Sequence, residues 1–136
     1  MSERGKLEYK KIRVLGQLAA GTSVEYLPSV TFRDTHLPSW ARENDRFVMS
    51  EICGDSLSGA GIYDGDFALI HLNCEDVREG DLVAALAPEG LLIKFLWYDD
   101  DGLIRLEGAN SQWPARYYDP ADLTIQGKVI RTERDW

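Results

Sequence analysis

Two side chains in this sequence, a serine and a lysine, have the types and surroundings needed for nucleophilic chemistry. Ser56 lies in the glycine-rich run CGDSLSGAGIYDGD, and Lys94 lies 38 positions later in the apolar run GLLIKFLW. A serine hydroxyl is a weak nucleophile until a base removes its proton. Burial disfavours the charged form of lysine and lowers its pKa, so a lysine in an apolar strand can be that base. The two residues together predict a serine–lysine pair, a known nucleophile–base combination.

The strand predicted around Lys94 supplies the apolar surroundings that such a base requires. Side chains alternate along a strand, so Leu92 and Leu96 share a face with Lys94. Each candidate residue also has an ordinary alternative. Serines after Gly-Asp are commonly turn residues, and lysines in strands commonly extend their ammonium groups into water. The chemical prediction therefore depends on the two residues acting together.

Strand signals dominate the chain, and only residues 56–62 and 119–123 suggest a helical turn. Residues 21–44, which include Pro28 and Pro38, predict an irregular connection with short strands. Apolar or alternating runs predict the remaining strands at 12–18, 46–53, 67–72, 81–86, 91–98, 103–107 and 123–130. The expected architecture is mainly β, with curved antiparallel sheets.

Composition predicts one globular domain that needs neither a metal nor a disulfide for stability. The chain has 136 residues, is 44% hydrophobic and contains four Trp, six Tyr and four Phe. Its formal net charge is −8, and its sequence pI is about 4.7. A charge of this sign argues against direct binding to a nucleic-acid backbone.

The cysteines and histidines are too few and too scattered to predict a metal site or a cofactor. Cys53 and Cys74 have no CxxC spacing and are expected to be reduced residues of a cytoplasmic protein, with Cys53 buried in an apolar strand. His36 and His71 are far apart in the sequence. No apolar run approaches the roughly 18 residues that span a membrane, which argues against bacterial signal peptidases, another serine–lysine class.

Four segments follow one another as they do in the LexA and UmuD family of self-cleaving proteins: EICGDSLSGAGIYDGDFALIHL, VREGDLVAAL, LLIKFL and LEGANSQWPARYY…DLTIQGKVI. The sequence resembles that family over residues 12–131. In the family the serine follows a Gly-x pair, a GI-x-DGD stretch comes soon after, and the lysine lies in a later strand. One departure is Leu57, where the family usually has Met. The two side chains are apolar and similar in volume, so the nucleophile is not in doubt.

The resemblance implies a role for each matching residue. Ser56 would be the nucleophile, Lys94 the general base, and the backbone amides of Asp55 and Ser56 the oxyanion donors. The implied fold is that of LexA-like and signal-peptidase-like proteins. Residues 1–11 are expected to be a flexible leader, and 12–136 a single peptidase domain.

The resemblance also extends to the run VLGQLAAGTSVEY, which is similar to the family's self-cleavage segment, at about residues 14–25. The matching scissile bond joins Ala20 and Gly21. Small side chains there would let an extended backbone approach a nucleophile closely, and Val14, Leu15 and Leu18 are candidate apolar anchors. The local alternative is a simple strand followed by a glycine turn.

Two functions from different classes remain open. The first is a serine–lysine autoprotease of the SOS-response type, which cuts its own chain in DNA-damage response or repressor control. The second is a non-catalytic UmuD-like dimerisation module that acts as a DNA polymerase accessory or repressor partner, with 123–130 as a candidate pairing edge.

The resemblance implies a homodimer, a RecA-type filament as the trigger, and no cofactor. Repressors of the LexA type carry a helix-turn-helix domain before the protease, and the residues before the first predicted strand are too few to form one. Three explanations stay open: the chain lost that domain, was cut from a longer protein, or is UmuD-like. The length favours the UmuD-like explanation, whereas LAAG is closer to a repressor cleavage site.

Overall fold

The computed structural model describes residues 9–15 and 31–135, and the described residues form one nine-stranded sheet. The strands are β1 (Tyr9–Leu15), β2 (Thr31–His36), β3 (Arg46–Glu51), β4 (Phe67–Leu72), β5 (Leu82–Ala87), β6 (Gly90–Tyr98), β7 (Ile104–Glu107), β8 (Arg116–Tyr118) and β9 (Thr124–Glu133). Short 3-10 helices at Ser58–Ala60 and Pro120–Asp122 lie within the two predicted helical turns. The prediction of a mainly β fold is confirmed.

The sheet is mixed, in the order β2-β1-β3-β4-β9-β5-β6-β7-β8. Seven of the eight neighbouring pairs are antiparallel, as expected, and β1 and β3 pair in parallel. β9 lies in the interior, between β4 and β5. The prediction that 123–130 forms a free edge is therefore wrong, and the described sheet ends at β2 and β8.

Most of the predicted strands begin or end one to three residues from their predicted bounds. β1 covers Tyr9–Leu15 instead of 12–18, so pairing begins inside the segment that was expected to be a leader. β3 ends at Glu51 instead of at residue 53. β8 was not predicted, because three residues are too few to show an alternating pattern.

The hairpin of β5 and β6 places the candidate base. Ala87 pairs with Gly90, so Pro88 and Glu89 form a two-residue turn. Further along the same hairpin, Lys94 pairs with Val83, which is fully buried.

The largest fully buried side chains of the described residues are Met49, Leu57, Leu69, Ile70, Leu96, Val48 and Val83. Each such side chain contributes about 1.5–3 kcal/mol to folding by leaving water. Leu57 and Leu96 belong to the two segments that carry the candidate serine and lysine. Packing of the core therefore holds both segments in place.

Candidate active site

Ser56 lies in a tight turn that follows β3. Gly54 precedes it with φ of 87°, a conformation that glycine adopts without the steric cost of a Cβ. The backbone amide of Ser58 donates to the carbonyl of Asp55 at 3.1 Å and closes the turn. Leu57 is 1% exposed and anchors the turn in the core. The serine is thus presented between a glycine that redirects the chain and a buried leucine that fixes it.

Lys94 reaches the turn from the middle of β6. Its Nζ lies 2.5 Å from the Oγ of Ser56, which is hydrogen-bond distance. Both side chains are partly buried. Leu96, on the same strand face, is fully buried, whereas Leu92 is partly buried. The structure therefore brings together the two side chains singled out in the sequence.

The electrostatic surroundings of Lys94 favour its neutral form. Burial lowers the pKa of the Lys94 amine, and the positive charge of Arg116 lowers it further. Arg116 is held by Glu89, whose Oε2 accepts from the guanidinium and from the Tyr118 hydroxyl, each at 2.7 Å. Burial and the Glu89 carboxylate raise the pKa of Tyr118 to about 12, which keeps its hydroxyl protonated as a donor. Sequence reasoning did not identify Glu89, Arg116 or Tyr118, since tertiary contacts alone bring them near the lysine.

Residues 108–113, here called the brace segment, hold the serine turn from the side of β7. Five hydrogen bonds join them to the turn and to the 3-10 helix that follows it. Three reach Asp55 and Ser56: Ala109 N to Ser56 O (2.6 Å), Asn110 Nδ2 to Asp55 O (3.1 Å) and Trp113 Nε1 to Asp55 Oδ1 (2.7 Å). The other two are Gly59 N to Ala109 O (2.6 Å) and Asn110 Nδ2 to Ser58 Oγ (3.3 Å). The brace segment belongs to one of the stretches that carried the family resemblance, but no role was assigned to its residues. Its contacts orient the main chain on both sides of the nucleophile.

Gly108 allows the brace segment to approach this closely. A Cβ at this position would lie 2.4 Å from the carbonyl oxygen of Ser56, closer than real Cβ contacts occur. The single sequence signal for such a contact was the glycine itself, directly after β7.

The amides of Asp55 and Ser56, the expected oxyanion donors, lie in the same turn. Neither donates a hydrogen bond to another residue within 9–15 and 31–135.

A cleft of about 550 Å³ opens beside the pair, and both Ser56 and Lys94 line it. Val14 and Leu15, at the end of β1, line the same cleft. Cys53 is also in its wall and is exposed, so the prediction of a buried Cys53 is wrong. The reason is that β3 ends at Glu51, so Cys53 lies beyond the apolar strand in which it was expected to be buried.

The predicted scissile bond between Ala20 and Gly21, and the anchor Leu18, lie outside the described residues.

No group of three or more potential metal ligands occurs within the described ranges. Of the two histidines, His71 contacts Asp45, with Nε2 3.1 Å from Oδ1. No helix in the described part of the chain is long and apolar enough to cross a membrane.

A serine and a lysine at hydrogen-bond distance are one of the known nucleophile–base combinations. Residues 13–130 match the Peptidase S24-like family, and the chain belongs to that family.

Three relatives named LexA repressor are similar to this chain. The protein from Erythrobacter litoralis is 36% identical over 120 residues, which cover 88% of this chain and 50% of the relative. The protein from Novosphingobium aromaticivorans is 34% identical over 115 residues, covering 84% and 47%. The protein from Zymomonas mobilis is 28% identical over 123 residues, covering 88% and 54%. The chain thus spans about half the length of these curated relatives.

Proposed function

We propose that this protein is a serine–lysine autoprotease that cuts its own chain between Ala20 and Gly21. The observation that carries the proposal is the 2.5 Å contact between Ser56 Oγ and Lys94 Nζ, an amine whose pKa is lowered by burial. The neutral amine accepts the hydroxyl proton as Oγ attacks the carbonyl carbon of Ala20. The C–N bond then breaks, and the ammonium of Lys94 returns the proton to the departing amine of Gly21. Water hydrolyses the resulting ester and regenerates Ser56.

The amides of Asp55 and Ser56 are proposed to hold the negative charge that develops on the carbonyl oxygen of Ala20. Their lack of acceptors among the described residues supports this role. Backbone donors are effective because they are oriented before the reaction begins, and loss of one such donor typically lowers the rate about 10²–10³-fold.

The position of β1 supports a substrate segment carried on the same chain. Leu15, at the end of β1, lines the cleft that also contains Ser56. Ala20 is five residues further along the chain, and five extended residues span at most about 17 Å. A tethered substrate meets the nucleophile at high effective concentration, so docking of the segment would control the rate.

The relatives named LexA repressor support a role in SOS-type control, in which cleavage switches the activity of a repressor or of a UmuD-like protein. In this proposal the protein is a cytoplasmic homodimer, a RecA-type filament promotes docking of the segment, and the partner is a repressor or DNA polymerase. The net charge of −8 argues against nucleic-acid binding by this chain itself.

The cleavage site is tested by incubating the purified protein at alkaline pH and identifying the fragments by mass spectrometry. We expect one fragment that ends at Ala20 and one that begins at Gly21. Replacing Gly21 with Ile should block this cut, because a β-branched side chain prevents close approach of the backbone to Ser56. The first-order rate constant should not change on hundredfold dilution, since the reaction is intramolecular. Cleavage at another bond, or a cut that persists in Gly21→Ile, would refute the substrate assignment. A non-catalytic dimerisation module would show no cleavage at all.

A further inference from the structure

The peptide bond that links Asp55 to Ser56 is held in one orientation from outside the turn. Asn110 Nδ2 lies 3.1 Å from the carbonyl oxygen of Asp55 and donates to it. The peptide unit is planar and trans, so its C=O and N–H groups point in opposite directions. A contact that fixes the carbonyl of Asp55 therefore fixes the direction of the N–H of Ser56.

The orientation of the Asn110 side chain is itself determined by the brace segment. The backbone amide of Gln112 donates to Asn110 Oδ1 at 3.0 Å. Because Oδ1 is occupied as an acceptor, the other end of the amide group, the donor Nδ2, faces the turn. Trp113 adds a second restraint on Asp55, with its Nε1 2.7 Å from Oδ1.

We propose that Asn110 is a positioning residue that aims the amide of Ser56 at the oxyanion. The inference rests on the proposed function, since it concerns the same site. Asn110 does not touch the reacting atoms. It acts through the carbonyl of Asp55 and holds the turn in its reactive conformation before the substrate arrives.

The expected effect is smaller than complete loss of an oxyanion donor. The carbonyl of Asp55 also accepts from the amide of Ser58 at 3.1 Å, and this bond survives any change of the Asn110 side chain. Removing a donor outright costs about 10²–10³-fold in rate, so loss of orientation by Asn110→Ala should cost roughly tenfold. Asn110→Asp should cost more, because it places a carboxylate oxygen against the carbonyl. This variant is isosteric and keeps the acceptor for Gln112 N, so it preserves the loop should the alanine variant not fold.

Ser58→Ala is the matched control. It removes the 3.3 Å contact between Asn110 Nδ2 and Ser58 Oγ, while both hydrogen bonds to the carbonyl of Asp55 remain. The self-cleavage rate of Ser58→Ala should stay within about twofold of the wild-type rate. The reason is that the effect of Asn110 depends on its bond to the carbonyl of Asp55 and not on its contact with the hydroxyl of Ser58.

Two readouts are measured for each full-length variant. The first is the pH–rate profile of self-cleavage, in which the plateau should fall for the Asn110 variants while the midpoint, set by Lys94, stays in place. The second is modification of Ser56 by an alkyl fluorophosphonate, followed by intact mass. In that reaction Oγ forms a bond to phosphorus, fluoride leaves, Lys94 takes the proton, and the phosphoryl oxygen occupies the oxyanion site. This reaction does not depend on the bond between Ala20 and Gly21.

Slower phosphonylation of both Asn110 variants, with Ser58→Ala unchanged, supports the inference. If the wild type is phosphonylated with this contrast but never cleaves itself, the proposed function fails and the inference stands. The inference is overturned if the wild type and the Asn110 variants are phosphonylated at equal rates, or if Ser58→Ala loses as much rate as they do. It is also overturned if the pH–rate profile of the Asn110 variants shows a shifted midpoint in place of a lower plateau. A wild type that is not phosphonylated at all would also overturn it.

Discussion

Replacing Gly108 with Ala should slow self-cleavage without altering either member of the proposed catalytic pair. The Cβ of alanine would lie 2.4 Å from the carbonyl oxygen of Ser56, whereas contacts below 3.0 Å essentially never occur. The backbone of Gly108 does not have the positive φ that favours glycine, so the effect of alanine arises from this contact. Either the brace segment or the serine turn must move.

The size of the movement follows from these distances. To bring the added Cβ and the carbonyl oxygen of Ser56 to 3.0 Å, the backbone must shift by about 0.6 Å. An ordinary van der Waals contact at 3.4 Å requires a shift of about 1 Å. A misplacement of about 1 Å in a reacting group costs about 10²-fold in rate. We therefore expect cleavage to slow by about 10- to 100-fold, which corresponds to roughly 1.4–2.7 kcal/mol in the activation free energy. Overpacking should also lower the free energy of unfolding by about 1–3 kcal/mol.

Gly127→Ala separates displacement of the nucleophile from loss of stability. Its Cβ would lie 2.3 Å from the carbonyl oxygen of His71, an equally close contact but in the interior of the sheet. Both variants should unfold at lower temperature than the wild type, as followed by circular dichroism. Only Gly108→Ala should cleave slowly under conditions where all three proteins are folded, as followed by intact mass. If the two variants cleave equally fast, the close packing of Gly108 on Ser56 does not position the nucleophile.

Further predictions concern charge. Below the lowered pKa of Lys94, the cleavage rate should rise about tenfold per pH unit, and above that pKa it should level off. Lys94→Arg should be inactive, because guanidinium keeps its proton. A flat rate from pH 6 to 10 in folded protein would exclude Lys94 as the base. Between the lowered pKa of Lys94 in the folded protein and the ordinary lysine pKa, the unfolded chain binds more protons than the folded one. The free energy of unfolding should therefore rise with pH through that interval. Urea titrations of Lys94→Met should not show this rise. The hydrogen bonds from Arg134 lower the pKa of Asp66 to about 2 from 3.8, so the stability they confer should be complete above pH 4 and disappear towards pH 2. Arg134→Gln should lower the free energy of unfolding at pH 7 and weaken this acid dependence, because the Asp66 carboxylate loses its charged hydrogen-bond partner. An unchanged acid transition would contradict the assignment to Asp66.

The strand that carries Lys94 could be predicted because the lysine lies in a nearly continuous apolar run, GLLIKFLW. That run placed Leu96 on the face of Lys94, and in the structure Leu96 is fully buried. The same reasoning from an apolar run failed at Cys53, because β3 ends at Glu51 and the chain turns towards the serine. The period of a strand says nothing about the residue at which pairing stops.

The surroundings of the pair could not be predicted, since they depend on contacts between distant segments. Asn110 is 55 positions from Asp55, and Arg116 is 27 positions from Glu89. The interior position of β9 likewise depends on the order of strands, which hydrophobic pattern does not encode. The catalytic roles of Ser56 and Lys94 and the cut after Ala20 stay predictions.

The central claim is that the hydroxyl of Ser56 cuts this same chain. The most direct measurement is the intact mass of the wild type and of Ser56→Ala after parallel incubation at alkaline pH. The wild type should convert into two fragments that meet at Ala20 and Gly21, whereas Ser56→Ala should keep its full mass with its fold unchanged. Cleavage of Ser56→Ala at the same bond, or a wild type that stays intact under all conditions in which Lys94 is neutral, would contradict the account.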